Sequence, residues 1–249
     1  TIGSLLGSWL LGKRYKPRHL EGDFYYPVSG FGEIFNAIGK EIEQKNIFLN
    51  MPIVKINHNH KTIESIESLD GKKIELNDLV STMPIHVLAK AMVPPPPDYI
   101  LDEIEMLEYR SIMICVLFLD IERFSENASI YFPDKSCPFT RIYEPKNRSE
   151  KMAPHEKTCI VVEIPVGTDQ VNIETNKENV YNMVVEYLTN KKLLKKESII
   201  NYNIIDIKYA YPIIYKDTGI KFSKISSYFR EFENLYLIGR NADFEYLHT

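Results

Sequence analysis

Cysteine is scarce in this chain: Cys115, Cys137 and Cys159 are the three in 249 residues, widely spaced and with no Cys-x-x-Cys pair. That excludes a disulfide framework or a cysteine-rich zinc site as the organising device, and a reducing cytoplasm is the expected compartment. No run of about eighteen apolar residues occurs, so no transmembrane helix is expected. A basic excess is also lacking: 30 Lys and Arg face 34 Asp and Glu, for a net charge of -4, which excludes the electrostatic footprint of a nucleic-acid binder. No nucleophile elbow and no metal-ligand spacing surround the six histidines, so no catalytic residue and no metal site are singled out. His58 and His60 read as part of an exposed turn, and His86 as a helix-start residue. The most informative absence is Gly-x-Gly-x-x-Gly after a strand pattern; Gly3, Gly7 and Gly12 are too widely spaced to form one. The phosphate-cradling βαβ unit of a dinucleotide fold is therefore not legible here.

What is present is ordinary globular usage, 44% apolar and 26% charged, enough for one large or two modest domains. Residues 2 to 11 carry leucines and a tryptophan at mixed helical spacing. The basic cluster Lys13, Arg14, Lys16 and Arg18 follows, and together they read as an amphipathic helix with a solvated basic end. The order, apolar then basic, is the reverse of a secretory signal. With no initiator methionine and an abrupt end at Thr249, the expectation is a piece of a longer protein.

Four stretches carry the argument. Phe24 to Gly32 reads F-Y-Y-P-V-S-G-F-G, and Ile34, Phe35, Ile38 and Ile42 then recur at helical intervals, so a Gly-x-Gly turn opens a helix near Glu33. Free N-H groups at such a terminus can meet an anion. Strand patterns follow at Ile47 to Leu49, Ile53 to Ile56 and Thr62 to Ser68. After the Asp70-Gly71 hairpin signal come Lys73 to Leu76 and Asp78 to Thr82. Pro94 to Pro97 forbid helix or central strand and read as a rigid linker. Beyond it, strands are expected at Ser111 to Leu119, Ser129 to Phe132, Phe139 to Tyr143, Cys159 to Pro165 and Ile199 to Pro212, with a helix from about Lys177 to Thr189. Alternation of Ile112, Ile114, Val116 and Phe118 suits a sheet with one face on a core. Tyr202, Tyr209, Tyr211 and Tyr215 either pack on that sheet or line a substrate pocket. At the end, Leu235 to Ile238 is a short buried strand delivering Gly239 and Arg240, a glycine and a cation suited to a phosphate.

Three of these stretches resemble, in order, the FAD-dependent amine oxidase, protoporphyrinogen oxidase and UDP-galactopyranose mutase-like superfamily. They are Tyr26 to Gly32, Val54 to Pro84 and Leu235 to Tyr246. The resemblance implies an α/β (α+β) fold, part of a glutathione-reductase-type FAD-binding domain joined to an antiparallel-sheet substrate domain. Residues 1–23 would be a helical segment of the substrate domain, 24–93 part of the FAD-binding domain, 94–232 the substrate domain and 233–249 the C-terminal FAD motif. It implies FAD as cofactor, with contacts from Gly30, Gly32, Val54, Thr82, Gly239, Arg240, Asn241 and Tyr246, and a small-molecule substrate near Tyr26 and Tyr211. Gly239 and Arg240 would touch the pyrophosphate, and Asn241 to Tyr246 would run toward the flavin ring. The implied activity is hydride transfer from substrate to flavin, with this stretch alone inactive. The alternatives are a flavin-dependent sugar isomerase, which requires arginines converging on a diphosphate from among Arg110, Arg123, Arg141 and Arg148, and a non-catalytic binding module that has lost flavin.

Overall fold

The computed structural model describes residues 25–166 and 176–246, so the helix expected over residues 2 to 11 and the basic cluster after it lie outside the described residues. Helix α1 (Gly32–Glu41) leaves a turn closed by the Gly30 N-H on the Pro27 carbonyl at 3.0 Å. A meander of β1 (Ile53–His58), β2 (Ile63–Ser68) and β3 (Lys73–Glu75) follows. Next come β4 (Leu79–Ser81), α2 (Ile85–Ala91), the short β5 (Met92–Val93) and α3 (Asp98–Glu105). Then come β6 (Tyr109–Leu119), β7 (Ser129–Tyr131), β8 (Arg141–Tyr143), β9 (Thr158–Val166), α4 (Lys177–Asn190) and β10 (Ile199–Pro212). Helix α5 (Thr218–Phe229) and β11 (Leu235–Leu237) complete the described chain.

These strands make three sheets. A five-stranded antiparallel sheet has the order β10-β6-β9-β8-β7, and a four-stranded sheet the order β3-β2-β1-β5 with β5 parallel to β1. β11 and β4 pair in parallel. Asn234 places β11: its side-chain oxygen accepts the Ile63 N-H at 2.7 Å, and its amide donates to the carbonyls of Ile63 at 2.9 Å and Asn77 at 2.6 Å. One side chain thus ties the entry to β11 to the meander.

Two cores divide the apolar side chains. The first lies between the five-stranded sheet and α4, where Met113, Cys115, Leu117 and Leu119 meet Ile160, Val162, Ile164 and the α4 stripe Val180, Val184, Leu188. The second gathers Ile56 and Ile63 of the meander, Ile85 and Leu88 of α2, Ile100 and Ile104 of α3, and Ile225 and Phe229 of α5. Helices α3 and α5 were not legible as separate helices, because their short apolar periods lie beside prolines and strand-like runs.

Three sequence expectations are corrected. Residues Ile47 to Leu49 are not a strand; no strand among the described residues pairs with them, and strand propensity without a partner edge does not make a strand. The face of β6 turned to the helix is Met113, Cys115, Leu117 and Leu119, not Ile112, Ile114, Val116 and Phe118. Both phases of β6 are apolar, so α4 rather than the alternation decides which is covered. His58 is not in an exposed turn but buried at the end of β1, where its Nε2 bonds the Pro94 carbonyl at 2.8 Å and its Nδ1 accepts the His60 N-H at 3.1 Å.

Candidate functional site

The face of the five-stranded sheet turned away from α4 carries the charge. Strand register puts Tyr131 opposite Arg141, Arg141 opposite Glu163, Glu163 opposite Ile114 and Ile114 opposite Ile205, one row across all five strands. The Arg141 guanidinium pairs with the Glu163 carboxylate and lies 5.5 Å from the centre of the Tyr143 ring. Tyr211, from β10, donates its hydroxyl to the other Glu163 oxygen at 3.4 Å. A carboxylate held between a guanidinium and a phenol is oriented on both oxygens.

The C-terminal motif meets this row through Tyr211. Gly239 stands at φ +85°, a backbone that side chains rarely adopt, and reverses the chain after β11. Arg240 then lies over both the Tyr211 ring, at 5.3 Å, and the Tyr246 ring, at 5.4 Å, and donates to the Ala210 carbonyl at 3.4 Å. Tyr211 and Tyr246 are themselves stacked with centroids 5.7 Å apart. Burial raises the Tyr211 hydroxyl above its ordinary pKa, and the Glu163 charge raises it further against the pull of Arg141 and Arg240. It is a neutral donor across the physiological range.

A third arginine-aromatic pair stands at the other edge, where the Arg148 guanidinium is 5.8 Å from the Tyr26 ring. The loop carrying Arg148 is pinned from below. Lys146 is buried and its ammonium donates to the carbonyls of Glu122, Pro154, His155 and Lys157, while the buried Glu144 accepts the Phe124 and Ser125 N-H groups and the Thr158 hydroxyl. On this platform the Ser149 hydroxyl donates to the Val28 carbonyl at 2.6 Å, and Met152 Sδ sits 2.8 Å from where a Cβ of Gly30 would lie. Gly30, at φ +103°, is therefore required both by its backbone and by the close approach.

The expected site residues separate into groups. Tyr211, Arg240 and Tyr246 come together, Asn241 follows Arg240 with its Oδ1 buried and without a hydrogen-bond partner, and Tyr26 and Gly30 dock on the loop of Arg148. Gly32 opens α1, where the Glu33 carboxylate already accepts the Ser29 N-H at 3.1 Å. Val54 is exposed on β1, and Thr82 is exposed at the end of β4. Of the candidate arginines, Arg141 joins the row, Arg148 flanks it, Arg123 is engaged by Asn147 and Glu150, and Arg110 lies opposite Tyr211 in register. Tyr202 turns to the other side of the sheet and stacks on Tyr181 of α4. Glu163 was missed, although a lone carboxylate inside the apolar run Cys159 to Val166 was the signal that could have found it. A cleft of about 600 Å³ between α5 and residues 244 to 246 shares only Tyr246 with the Tyr211-Arg240-Tyr246 cluster. No group of three metal-ligating side chains occurs among the described residues, and no helix among them is long and apolar enough to cross a membrane.

The profile of the UDP-galactopyranose mutase family matches residues 25–246. The chain belongs to that family. It lies within the FAD-dependent amine oxidase-like superfamily expected from the three motifs. Among solved structures it is similar to a reduced UDP-galactopyranose mutase, at 17% identity and a TM-score of 0.76 over 87% of this chain and 46% of that one. It is also similar to a protein described as a protoporphyrinogen oxidase from Exiguobacterium, at 14% identity and a TM-score of 0.69 over 85% of this chain and 46% of that one. A putrescine oxidase redesigned in cofactor binding aligns at 11% identity and a TM-score of 0.62 over 84% of this chain and 47% of that one. At these identities the likeness is one of fold, and the chain spans about half the length of those proteins. No curated protein matches the chain.

The residues present fit FAD at the C-terminal motif. Nothing lies within 4 Å of a Cβ built on Gly239, so the backbone there is open to close approach. A guanidinium follows it, and the Asn241 Oδ1 is an acceptor still lacking a donor.

Proposed function

We propose that this chain forms the substrate-facing sheet and the C-terminal flavin contacts of an FAD-dependent oxidoreductase. What carries the reading is the meeting of the Gly239 to Tyr246 segment, through Tyr211, with the Tyr131-Arg141-Glu163 row. Gly239, Arg240 and Asn241 would hold the cofactor, with Gly30, Gly32, Val54, Thr82 and Tyr246 completing the contacts and Tyr26 and Tyr211 meeting a small-molecule substrate. Bound flavin supplies hydride acceptance, so the protein's task is positioning. Glu163, held by Arg141 and Tyr211, offers an oriented hydrogen-bond acceptor on the sheet, and Tyr211 stays protonated as a donor beside it.

A second reading, flavin-dependent isomerisation of a sugar nucleotide without net redox change, is supported by two guanidiniums, Arg141 and Arg240, standing on either side of Tyr211 and Glu163. The full-length protein, titrated with FAD and then offered substrates, separates the readings. Bleaching of the flavin by an amine or a reduced carbon substrate supports the oxidoreductase. Turnover of UDP-galactopyranose only by the pre-reduced protein, with the flavin spectrum unchanged after each cycle, supports the isomerase. Absence of any flavin binding overturns both and leaves a binding module.

A further inference from the structure

We infer that Tyr109 is the positioning residue of the Gly239 to Tyr246 loop, fixing the Asn241 peptide so that Arg240 and Tyr246 reach Tyr211. The functional consequence, though not the geometry, rests on the flavin reading above. After β11 the loop's backbone bonds are short in range: Ala242 and Asp243 N-H to the Gly239 carbonyl at 3.2 and 3.0 Å, and Glu245 N-H to the Arg240 carbonyl at 3.2 Å. Bonds of this kind shape a loop without fixing it to its surroundings. The Tyr109 hydroxyl, 132 positions away in sequence at the start of β6, donates to the Asn241 carbonyl at 2.6 Å.

The ring that carries this hydroxyl has little freedom. It meets His86 of α2, Tyr209 of β10 and Phe244 of the loop edge to face, with centroids 5.4, 5.2 and 5.0 Å away. Phe244 is itself buried against Phe222 of α5. Burial raises the Tyr109 hydroxyl to about 12, so it donates unchanged through the neutral range. The held residue is also costly to keep in place, since the Asn241 Oδ1 is buried without a donor. A loop carrying that cost loosens once this tether is cut, even with the Arg240 bond to the Ala210 carbonyl in place.

Tyr109→Phe removes one oxygen and keeps the three ring contacts. In the full-length protein, hydrogen exchange of the segment 239–246 is expected to speed up by about tenfold, while exchange in β6 and β9 stays as in wild type. FAD affinity falls by about tenfold in the same variant. Tyr228→Phe, which removes a hydroxyl from the same core without touching the loop, leaves both readouts unchanged. Exchange that stays slow in Tyr109→Phe, or that rises equally across both cores or in Tyr228→Phe, overturns the assignment. If the wild-type protein binds no FAD, the flavin reading falls, and the exchange comparison still decides the role of Tyr109.

Discussion

The core under the five-stranded sheet comes from one continuous stretch, Met113 to Ile204, whereas the core beneath α2, α3 and α5 draws on Ile56 to Leu107 and then on Ile225 to Phe244. The first is closed by its own helix α4, and its open face is free to carry Arg141, Glu163 and Tyr211. The second must bring together segments more than a hundred residues apart, and in doing so it delivers the C-terminal motif to that open face. The candidate site lies where the two meet. A locally assembled sheet supplies one half, and the long-range closure of the second core supplies the other.

Breaking the closure has the largest expected effect. Phe229→Ala leaves a cavity in the centre of the second core and costs about 3–5 kcal/mol by urea denaturation. It also releases the Gly239 to Tyr246 segment. Leu117→Ala, fully buried in the first core, costs about 2–5 kcal/mol and leaves the loop's exchange rate relative to the sheet unchanged. A smaller effect sharpens the boundary between the regions: Gly30→Ala costs about 1–3 kcal/mol, since φ +103° and Met152 both oppose a side chain. Gly32→Ala, in a helix with nothing within 4 Å of the new Cβ, changes stability by less than about 1 kcal/mol.

The smallest effect is a pH dependence confined to the second core. Burial holds the His58 imidazole below its ordinary pKa of 6.5, and the nearby His60 adds to the shift against the Pro94 carbonyl. Its folded-state pKa is depressed, so the unfolded chain takes up the proton first. Stability is therefore unaffected above about 6.5 and falls as pH drops from there toward the folded-state value. In His58→Gln that acid slope flattens in a denaturation series, whereas a slope unchanged by the substitution contradicts the assignment.

Legibility followed the same division. The strands of the first core were readable because β6 and β9 are apolar runs and β10 is rich in isoleucine and tyrosine, and helix α4 because Val180, Val184 and Leu188 recur on one face. Which phase of β6 faces α4 was not readable, since both phases are apolar. In the second core the meander and its Asp70-Gly71 turn were evident, but α3 and α5 were not, because their amphipathic faces are completed only by contacts across the chain. Tyr211, Arg240 and Tyr246, which stand together in the structure, are singled out in the sequence by the family resemblance. Glu163 and Tyr109 act through partners far away in sequence, and no local pattern announces such a partner.

Helix α1 marks the limit of both cores. Ile34, Phe35, Ile38 and Ile42 form the apolar stripe that predicted the helix, yet none is buried among the described residues. The stripe specified the helix without specifying what covers it.

The most direct measurement of whether Arg240 holds the cofactor is an FAD titration of the full-length protein, wild type against Arg240→Ala, followed by visible absorbance. Saturable binding with a flavin spectral shift is expected in the wild type, and affinity about tenfold weaker once the guanidinium over Tyr211 and Tyr246 is removed. Equal affinity in the two proteins would contradict a role of Arg240 in holding flavin.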